Sequence, residues 1–166
     1  YADTREATID FDQKQCIFLT HVLAMRSTQK LRILNSDPVG HNTKIDATGR
    51  AAQINAIIAS GGNTLYEPKG ESPETFPVSC SIHPWMAAYA VVRKNPDYAV
   101  SQSPGGMQPA GAFENKNLPA GVPLRFRVWQ DRTQFIRDVK VSGQIDKYNK
   151  GRMDLKLDKD ETRELE

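Results

Sequence analysis

The sequence predicts an all-β protein organised as a sandwich of sheets. In several short segments apolar residues alternate with polar neighbours, which is the period-two pattern of half-buried strands. The alternating pairs are Ile9 and Phe11, Leu23 and Met25, Leu31 and Ile33, and Tyr89 and Val91. A chain of 166 residues with 39% hydrophobic side chains is long enough to bury a core. Several short strands separated by turns favour a sandwich.

The elements before residue 80 can be assigned in order from these patterns. The segment Val22 to His41 reads as two strands that end in a Pro/Gly turn at residues 38–40. A short helix is predicted within residues 49–62, because four apolar residues there fall at helical spacing. These are Ala51, Ile54, Ile57 and Ile58. Residues Glu67 to Thr75 predict a surface loop that leads into an apolar strand, Phe76 to Ser79.

The C-terminal part is predicted to continue as β structure. Residues Ser101 to Gly111 form a loop rich in Ser, Pro and Gly, and strands follow within Leu124 to Trp129, Phe135 to Val141 and Arg152 to Leu157. In the last strand Met153, Leu155 and Leu157 share one face. The charged residues Asp158 to Glu166 predict either an edge strand or a solvated tail.

Two domains are predicted, residues 1–95 and residues 96–166. The second is either a β-rich extension that packs on the first or a small β module of its own. We favour an extension, because about 70 residues form a thin core by themselves.

Charge and hydropathy exclude two classes of partner. The 22 basic and 20 acidic side chains give a net charge of +2, and both signs are interspersed, so no basic surface for nucleic acid is indicated. No apolar run approaches the length of about 18 residues that a membrane span needs.

One short segment, residues 80–86, contains a cysteine, a histidine and a methionine. Soft sulfur ligands select Cu(I), and a His/His/Cys set with a long axial Met is the arrangement of a blue-copper centre. The segment supplies Cys80, His83 and Met86, and His41 upstream supplies the second imidazole. We therefore predict a mononuclear copper site with the ligands His41, Cys80, His83 and Met86.

The spacing Cys-x-x-His-x-x-Met, with Pro84 after the histidine, resembles that of the cupredoxins and is most similar to the short ligand loop of the amicyanins. Asn42 directly follows His41, like the asparagine that ties the two ligand loops together in that family. Ser81 stands at the family's hydroxyl position after the cysteine. The resemblance implies a Greek-key β-sandwich over residues 8–93. In the C-terminal part, residues 118–121 weakly resemble a turn of carboxypeptidase-regulatory, transthyretin-like β modules.

The resemblance also implies a function. It implies electron transfer through one type 1 (blue) copper ion that cycles between Cu(II) and Cu(I), and that the chain is not an enzyme. A redox partner protein would dock near His83 and Trp85, with His83 as the exit for the electron. The resemblance also implies an extracytoplasmic location, either periplasmic or secreted. The chain could act there alone or as part of a larger protein. The histidine count agrees, since His21 alone is left over and cannot build a further catalytic copper cluster.

Alternative functions remain open from the sequence. The chain could store or deliver copper, serve as the copper-carrying domain of a larger redox assembly, or be a β-sandwich binding module without metal. Zinc is less suited to the donor set, because Met is not a usual zinc ligand.

Two further predictions concern Cys16 and Ile82. Cys16 is predicted to be a partly buried free thiol outside the copper set, with a Cys16–Cys80 disulfide as the alternative in metal-free protein. The resemblance implies that its loop lies near the exposed ligand histidine. Ile82 stands where amicyanins and plastocyanins have Pro before the ligand histidine. Its N–H, which Pro lacks, is expected to donate to the Cys80 sulfur.

Overall fold

The computed structural model describes residues 7–101, 112–132, 134, 135, 138–141, 144–147 and 152–163. These residues form strands, turns and irregular segments, and none of them lies in a helix, so the described part holds no helix that could cross a membrane. The chain divides into two compact units, Tyr1–Asn115 and Lys116–Glu166.

The first unit contains the strands that carry the candidate site. They are β1 (Thr8–Lys14), β2 (Ile17–Phe18), β3 (Val22–Arg26), β4 (Lys30–Asn35), β5 (His41–Ile45), β6 (Ile54–Ile58), β7 (Asn63–Tyr66), β8 (Phe76–Ser79) and β9 (Ala87–Arg93). A four-stranded sheet has the order β2-β1-β4-β7, and a five-stranded sheet has the order β3-β9-β8-β5-β6.

Most neighbouring strands in these sheets are distant in sequence. Strand β1 pairs in parallel with β4, and β3 pairs in parallel with β9, whereas the other pairs are antiparallel. The chain therefore crosses between the two sheets repeatedly, in the manner of a Greek key.

Both sheets contribute to one core. Phe11 and Ile33 come from the four-stranded sheet, and Ile45, Val78 and Val92 come from the five-stranded sheet, all of them buried in the same cluster. Such facing apolar surfaces define a sandwich. The predicted fold class is confirmed: the chain is all-β, with a Greek-key sandwich followed by a C-terminal β part.

The alternation of apolar residues locates the first strands correctly, but it selects the wrong face of β9. Strands β1, β3, β4 and β8 coincide with the predicted segments. In β9 the buried face consists of Ala88, Ala90 and Val92, whereas Tyr89 and Val91 are only half-buried. Both faces of β9 are apolar in sequence, and its neighbours β3 and β8 cover both edges. The period-two signal therefore could not distinguish the faces.

The predicted helix within residues 49–62 is wrong, because strand β6 occupies Ile54–Ile58. It pairs antiparallel with β5, so that Ile58 faces His41 and Ile54 faces Ile45. Isoleucine is β-branched and fits a pleated surface better than a helix, and the free edge of β5 supplies the backbone partners. Tertiary pairing overrode the local spacing.

The segment Glu67 to Thr75 is irregular, as predicted, but it is not wholly a surface loop. Ser72 is fully buried. Its hydroxyl accepts a hydrogen bond from Val92 N at 2.9 Å, and its own N–H donates to Val92 O at 3.0 Å. The segment is thereby fastened to the end of β9, beyond the residues that pair with β8.

The second unit contains the strands β10 (Pro123–Arg127), β11 (Trp129–Gln130), β12 (Gln134–Phe135), β13 (Asp138–Val141), β14 (Gln144–Lys147) and β15 (Arg152–Lys156). Strand β10 pairs with β15, β11 with β12, and β13 with β14. Met153 and Leu157 are buried while Arg152, Asp154 and Lys156 are exposed, as the alternation predicts. Residues 158–163 are not in a strand, and most of the predicted loop 101–111 lies outside the described residues.

Candidate metal centre

Three connections of the sandwich meet at the candidate site. The turn between β1 and β2 carries Cys16, the connection from β4 to β5 carries Asp37 and leads into His41, and the connection from β8 to β9 is the segment 80–86. Side-chain contacts join these connections in pairs: Asp37 to the Cys16 backbone, His41 to His83, and Trp85 to the Cys16 backbone.

The two imidazoles of the predicted site face each other. His41 Nδ1 and His83 Nδ1 lie 2.9 Å apart, and the ring centroids are 4.6 Å apart. His41 is fully buried, whereas His83 is half-buried. Two ring nitrogens at this distance need either a proton or a cation between them, because both are acceptors in the unprotonated state.

Asp37 orients the buried imidazole. Its Oδ2 lies 2.7 Å from His41 Nε2. A carboxylate accepts the N–H of the nitrogen it contacts, so the Nδ1 of a neutral His41 keeps its lone pair toward His83. Sequence reasoning missed Asp37, although an acidic residue four positions before a candidate ligand was the available signal.

Asp37 is also held by the β1–β2 turn. Its carboxylate accepts hydrogen bonds from Gln15 N at 2.5 Å and Cys16 N at 2.8 Å. Burial by itself would raise the pKa of Asp37, but the hydrogen bonds from Cys16 N, His41 and Gln15 N together hold that pKa below its ordinary value. Asp37 is therefore an anion in the interior, and it joins two of the three connections.

Cys80 lies beside the imidazole pair and is 2% exposed. Its Sγ is 3.8 Å from His83 Nδ1 and 3.4 Å from Asn42 Oδ1. Burial excludes water from the sulfur.

Asn42 connects the two ligand segments in the way that the resemblance implies. Its Oδ1 accepts hydrogen bonds from Ser81 N at 2.6 Å and from Ile82 N at 3.3 Å, and its Nδ2 donates to Ser81 Oγ at 3.4 Å. The Ile82 N–H is thus directed at the Asn42 amide and not at the Cys80 sulfur. The expected Ile82–sulfur hydrogen bond is wrong, because the asparagine oxygen is the better acceptor within reach.

Met86 is buried at the end of the same segment. Its N–H donates to His83 O at 2.9 Å, and its carbonyl accepts from Cys80 N at 3.4 Å. These two bonds close the segment into a tight loop, so the three predicted ligands of this loop are fixed by backbone contacts. Met86 also belongs to the hydrophobic core cluster.

Cys16 lies at the same centre. One donor atom from each of Cys16, His41 and His83 lies within 4.8 Å of the other two. Cys16 is half-buried, and both cysteines are free thiols in this structure. Sequence reasoning expected the thiol near the histidine and did not include it among the donors. Its position depends on pairing between distant segments, which local spacing cannot reveal.

Trp85 is exposed at the rim of the site, with 66% of its surface accessible. Its Nε1 donates to Cys16 O at 3.0 Å, and its ring centroid lies 5.2 Å from that of His83. Ile82, the neighbour of His83 in the chain, is 51% exposed. The surface beside His83 is therefore apolar and accessible.

The donor set fits a copper ion. Two imidazole nitrogens, a buried thiol sulfur and a thioether in the same loop are the ligand types that copper takes in electron-transfer sites. The hydrogen bond from His41 to Asp37 leaves the correct ring nitrogen available, as metal-binding histidines require.

Comparison with known proteins yields structural neighbours only. No protein-family model and no curated protein matches this chain. A reduced amicyanin with a tryptophan-to-tyrosine substitution is 18% identical, with a TM-score of 0.46, over 55% of this chain and 87% of that chain. A Cu(I) amicyanin with a methionine-to-alanine substitution is 17% identical, with the same TM-score and coverage. Amicyanin from Paracoccus versutus is 14% identical, with a TM-score of 0.45, over 55% of this chain and 86% of that chain.

Proposed function

We propose that this chain is an electron carrier that binds one copper ion through His41, Cys80, His83 and Met86 and cycles it between Cu(II) and Cu(I). The observation that carries the proposal is the close approach of three donors, with 2.9 Å between the two Nδ1 atoms and 3.8 Å between His83 Nδ1 and Cys80 Sγ. A copper ion in such a set exchanges one electron with a partner.

The residues around the donors support this role because they fix the donors before any metal arrives. Asp37 fixes the orientation of His41, and Asn42 fixes the backbone on both sides of Ser81. A site whose ligands are held by surrounding hydrogen bonds changes little in geometry between two oxidation states. Small changes in geometry favour rapid electron exchange.

His83 is the proposed exit for the electron, since it is the more exposed of the two histidines. The partner would be a redox protein that docks on the apolar surface formed by Ile82 and Trp85 beside it. Redox encounters commonly use small interfaces, and an exposed patch of this kind marks an interaction site.

We also propose that the protein works in an extracytoplasmic compartment, alone or as part of a larger protein.

The decisive experiment is titration of the metal-free protein with Cu(II), followed by visible absorption and electron paramagnetic resonance. We expect an intense band at about 600 nm that saturates at one equivalent, and that ascorbate bleaches reversibly. A colourless Cu(I) complex without a blue Cu(II) form would support copper storage or delivery instead. A protein that binds no copper would support a metal-free binding module.

Cys80→Ser and Cys16→Ser form a matched pair for this experiment. Cys80→Ser should abolish the blue band, because the band requires a thiolate bound to copper, and circular dichroism should show the strands intact. Cys16→Ser should keep the band, since Cys16 is outside the proposed blue set. A blue Cys80→Ser protein would refute the assignment of the thiolate ligand.

A further inference from the structure

Two thiols approach the same pair of imidazoles. Cys80 lies in the β8–β9 loop, with its sulfur 3.8 Å from His83 Nδ1. Cys16 lies in the β1–β2 turn, and one donor atom from each of Cys16, His41 and His83 lies within 4.8 Å of the other two. The blue set uses only the first of these thiols.

The backbone of Cys16 is held in place on both sides. Its N–H donates to Asp37 Oδ2 at 2.8 Å, and its carbonyl accepts from Trp85 Nε1 at 3.0 Å. The same Asp37 oxygen contacts His41 Nε2 at 2.7 Å. A single carboxylate oxygen thus positions both the Cys16 backbone and the His41 ring.

The conformation of the turn is unusual for these residues. Gln15 and Cys16 have φ angles of 56° and 54°, in the left-handed region that two-residue hairpins normally fill with Asn or Gly. Gln15 is exposed, whereas Cys16 is half-buried beside the imidazoles. Of the two turn residues, only Cys16 brings a metal donor to the histidines.

We propose that Cys16, His41 and His83 form a second metal-binding set, distinct from the blue set, that takes a zinc ion. One thiolate and two imidazoles are three of the four ligands of a tetrahedral zinc site with an open fourth position. Zinc bonds of about 2.0–2.3 Å place tetrahedral ligand atoms about 3.3–3.8 Å apart. The widest pair of the three donors, up to 4.8 Å apart, would close by about one ångström to reach that spacing, whereas the two Nδ1 atoms, 2.9 Å apart, would open by about half an ångström. Binding converts the Cys16 thiol to a thiolate and releases its proton to solvent.

The two sets share both histidines and therefore exclude each other. Zinc at Cys16 would occupy the imidazoles that copper needs, and copper at Cys80 would occupy those that zinc needs. The inference concerns the same imidazoles as the proposed function, but it requires neither Cys80 nor Met86. The choice of cysteine would then decide which metal the centre holds.

The test uses Cys80→Ser protein, in which the blue set is removed, and Co²⁺ as a coloured substitute for Zn²⁺. We expect Co²⁺ to bind at one equivalent with a near-ultraviolet thiolate charge-transfer band and tetrahedral visible bands, and Zn²⁺ to bleach both. Cys16→Ser in the same background should lose the thiolate band and weaken Co²⁺ binding at least tenfold. Gln15→Ser in that background is the matched control and should retain the band, because it changes the other residue of the turn.

A wild-type measurement covers the case in which Cys80→Ser does not fold. Zn²⁺ should slow the alkylation of Cys16 by iodoacetamide at least tenfold, as measured by peptide mass spectrometry. Absence of the Co²⁺ thiolate band from folded Cys80→Ser protein, its persistence after Cys16→Ser, or unprotected Cys16 in the wild type would each overturn the inference. A blue wild type without zinc binding at Cys16 leaves the proposed function standing. A wild type that never turns blue, together with Cys80→Ser protein that shows the Cys16 band, removes the proposed function alone.

Discussion

Asp37 is the residue on which the arrangement of the centre depends most. It accepts hydrogen bonds from the two turn residues Gln15 and Cys16, and it contacts His41 Nε2. Its own N–H donates to Asn35 Oδ1 at 3.0 Å. A buried carboxylate with several donors is stable as an anion, so it can hold a left-handed turn that neither Gln nor Cys prefers.

The sequence identified the donors of the centre better than it identified their supports. Cys80, His83 and Met86 lie within seven residues of one another in sequence, so their spacing alone reveals a loop with metal-binding chemistry. Asn42 was recognisable because it follows His41 directly. Asp37 and Cys16 reach the same place only through the pairing of β1 with β4. That pairing is a tertiary event with no local signature.

Tyr66 predicts a pH dependence of stability. Its hydroxyl is buried and donates to Ala52 O at 2.7 Å, and burial raises the pKa of Tyr66 to about 12. Because the unfolded tyrosine ionises near its ordinary pKa of about 10, the native state binds the proton more tightly. Tyr66 therefore adds at most about 2–3 kcal/mol to the free energy of unfolding. This stabilisation is fully present below about pH 10 and is lost as the pH rises toward about 12.

The measurement compares wild type with Tyr66→Phe by urea denaturation between about pH 9 and pH 12, the window set by the two pKa values. The free energy of unfolding of the wild type should fall more steeply with pH than that of the variant. Parallel curves would show that the pKa of Tyr66 is the same in the folded and unfolded states.

At the scale of elements, strand pairing explains more of the fold than local propensity does. Strand β6 was mistaken for a helix because three isoleucines fall at helical spacing, whereas the adjacent edge of β5 decides their conformation. The β1–β2 turn contains neither Gly nor Asn, the residues that usually mark such a turn in a sequence. The error at β6 arises because its pairing with β5 overrides the local pattern.

Gly49 is a turn position where a side chain cannot be accommodated. Its φ is +72°, and an added Cβ would collide with the Pro73 ring and lie 3.1 Å from Glu71 O. Gly61 has a similar φ of +69° but open space around it. Gly49→Ala should therefore lower the free energy of unfolding by about 2–4 kcal/mol, the sum of left-handed strain and overpacking. Gly61→Ala should lower it by about 1 kcal/mol, from left-handed strain alone.

Urea denaturation followed by circular dichroism distinguishes the two glycine variants. Equal losses would mean that the Glu71–Pro73 segment moves aside at little cost. Such a result would contradict the close fit between that segment and the connection after β5.

The ligand loop predicts how the surface beside His83 behaves in electron exchange. Under the proposed function, the apolar surfaces around the two His83 rings would approach each other in self-exchange between an oxidised and a reduced copy. Ile82→Lys adds a positive charge to both surfaces and should slow self-exchange about fivefold at low salt, with recovery as salt screens the charge. Leu65→Lys is the matched control, since Leu65 is 52% exposed on β7 and pairs with Arg32 of β4, outside the centre, and should leave the rate unchanged.

Line broadening in nuclear magnetic resonance spectra of partly oxidised protein measures this rate, and the blue band verifies that the centre is intact. If the two lysine variants exchanged at the same rate, the electron would leave by a surface other than the one beside His83.

At the scale of the whole molecule, the first unit builds its core from its own strands. Among the residues that the structure describes, every member of this hydrophobic cluster lies between Phe11 and Val92. We therefore expect a chain that ends at Asn115 to fold, to form the blue centre and to melt within a few degrees of the full chain. Thermal unfolding and the Cu(II) titration of the shortened chain test this expectation. Aggregation or a large fall in melting temperature would instead support the interpretation favoured from the sequence, in which the C-terminal part is an extension that packs on the sandwich.

The parallel pairs β1–β4 and β3–β9 bear on how the molecule is made. Strand β3 cannot meet β9 until the chain has been completed as far as Arg93. Proteins rich in such distant pairings fold slowly, over milliseconds to seconds, because loop-closure entropy is lost before the contacts form. The donors Cys16, His41 and His83 come from three parts of the chain that these pairings bring together. The centre should therefore be among the last regions to form, and a metal ion would arrive at a nearly finished protein and not act as a nucleus for its folding.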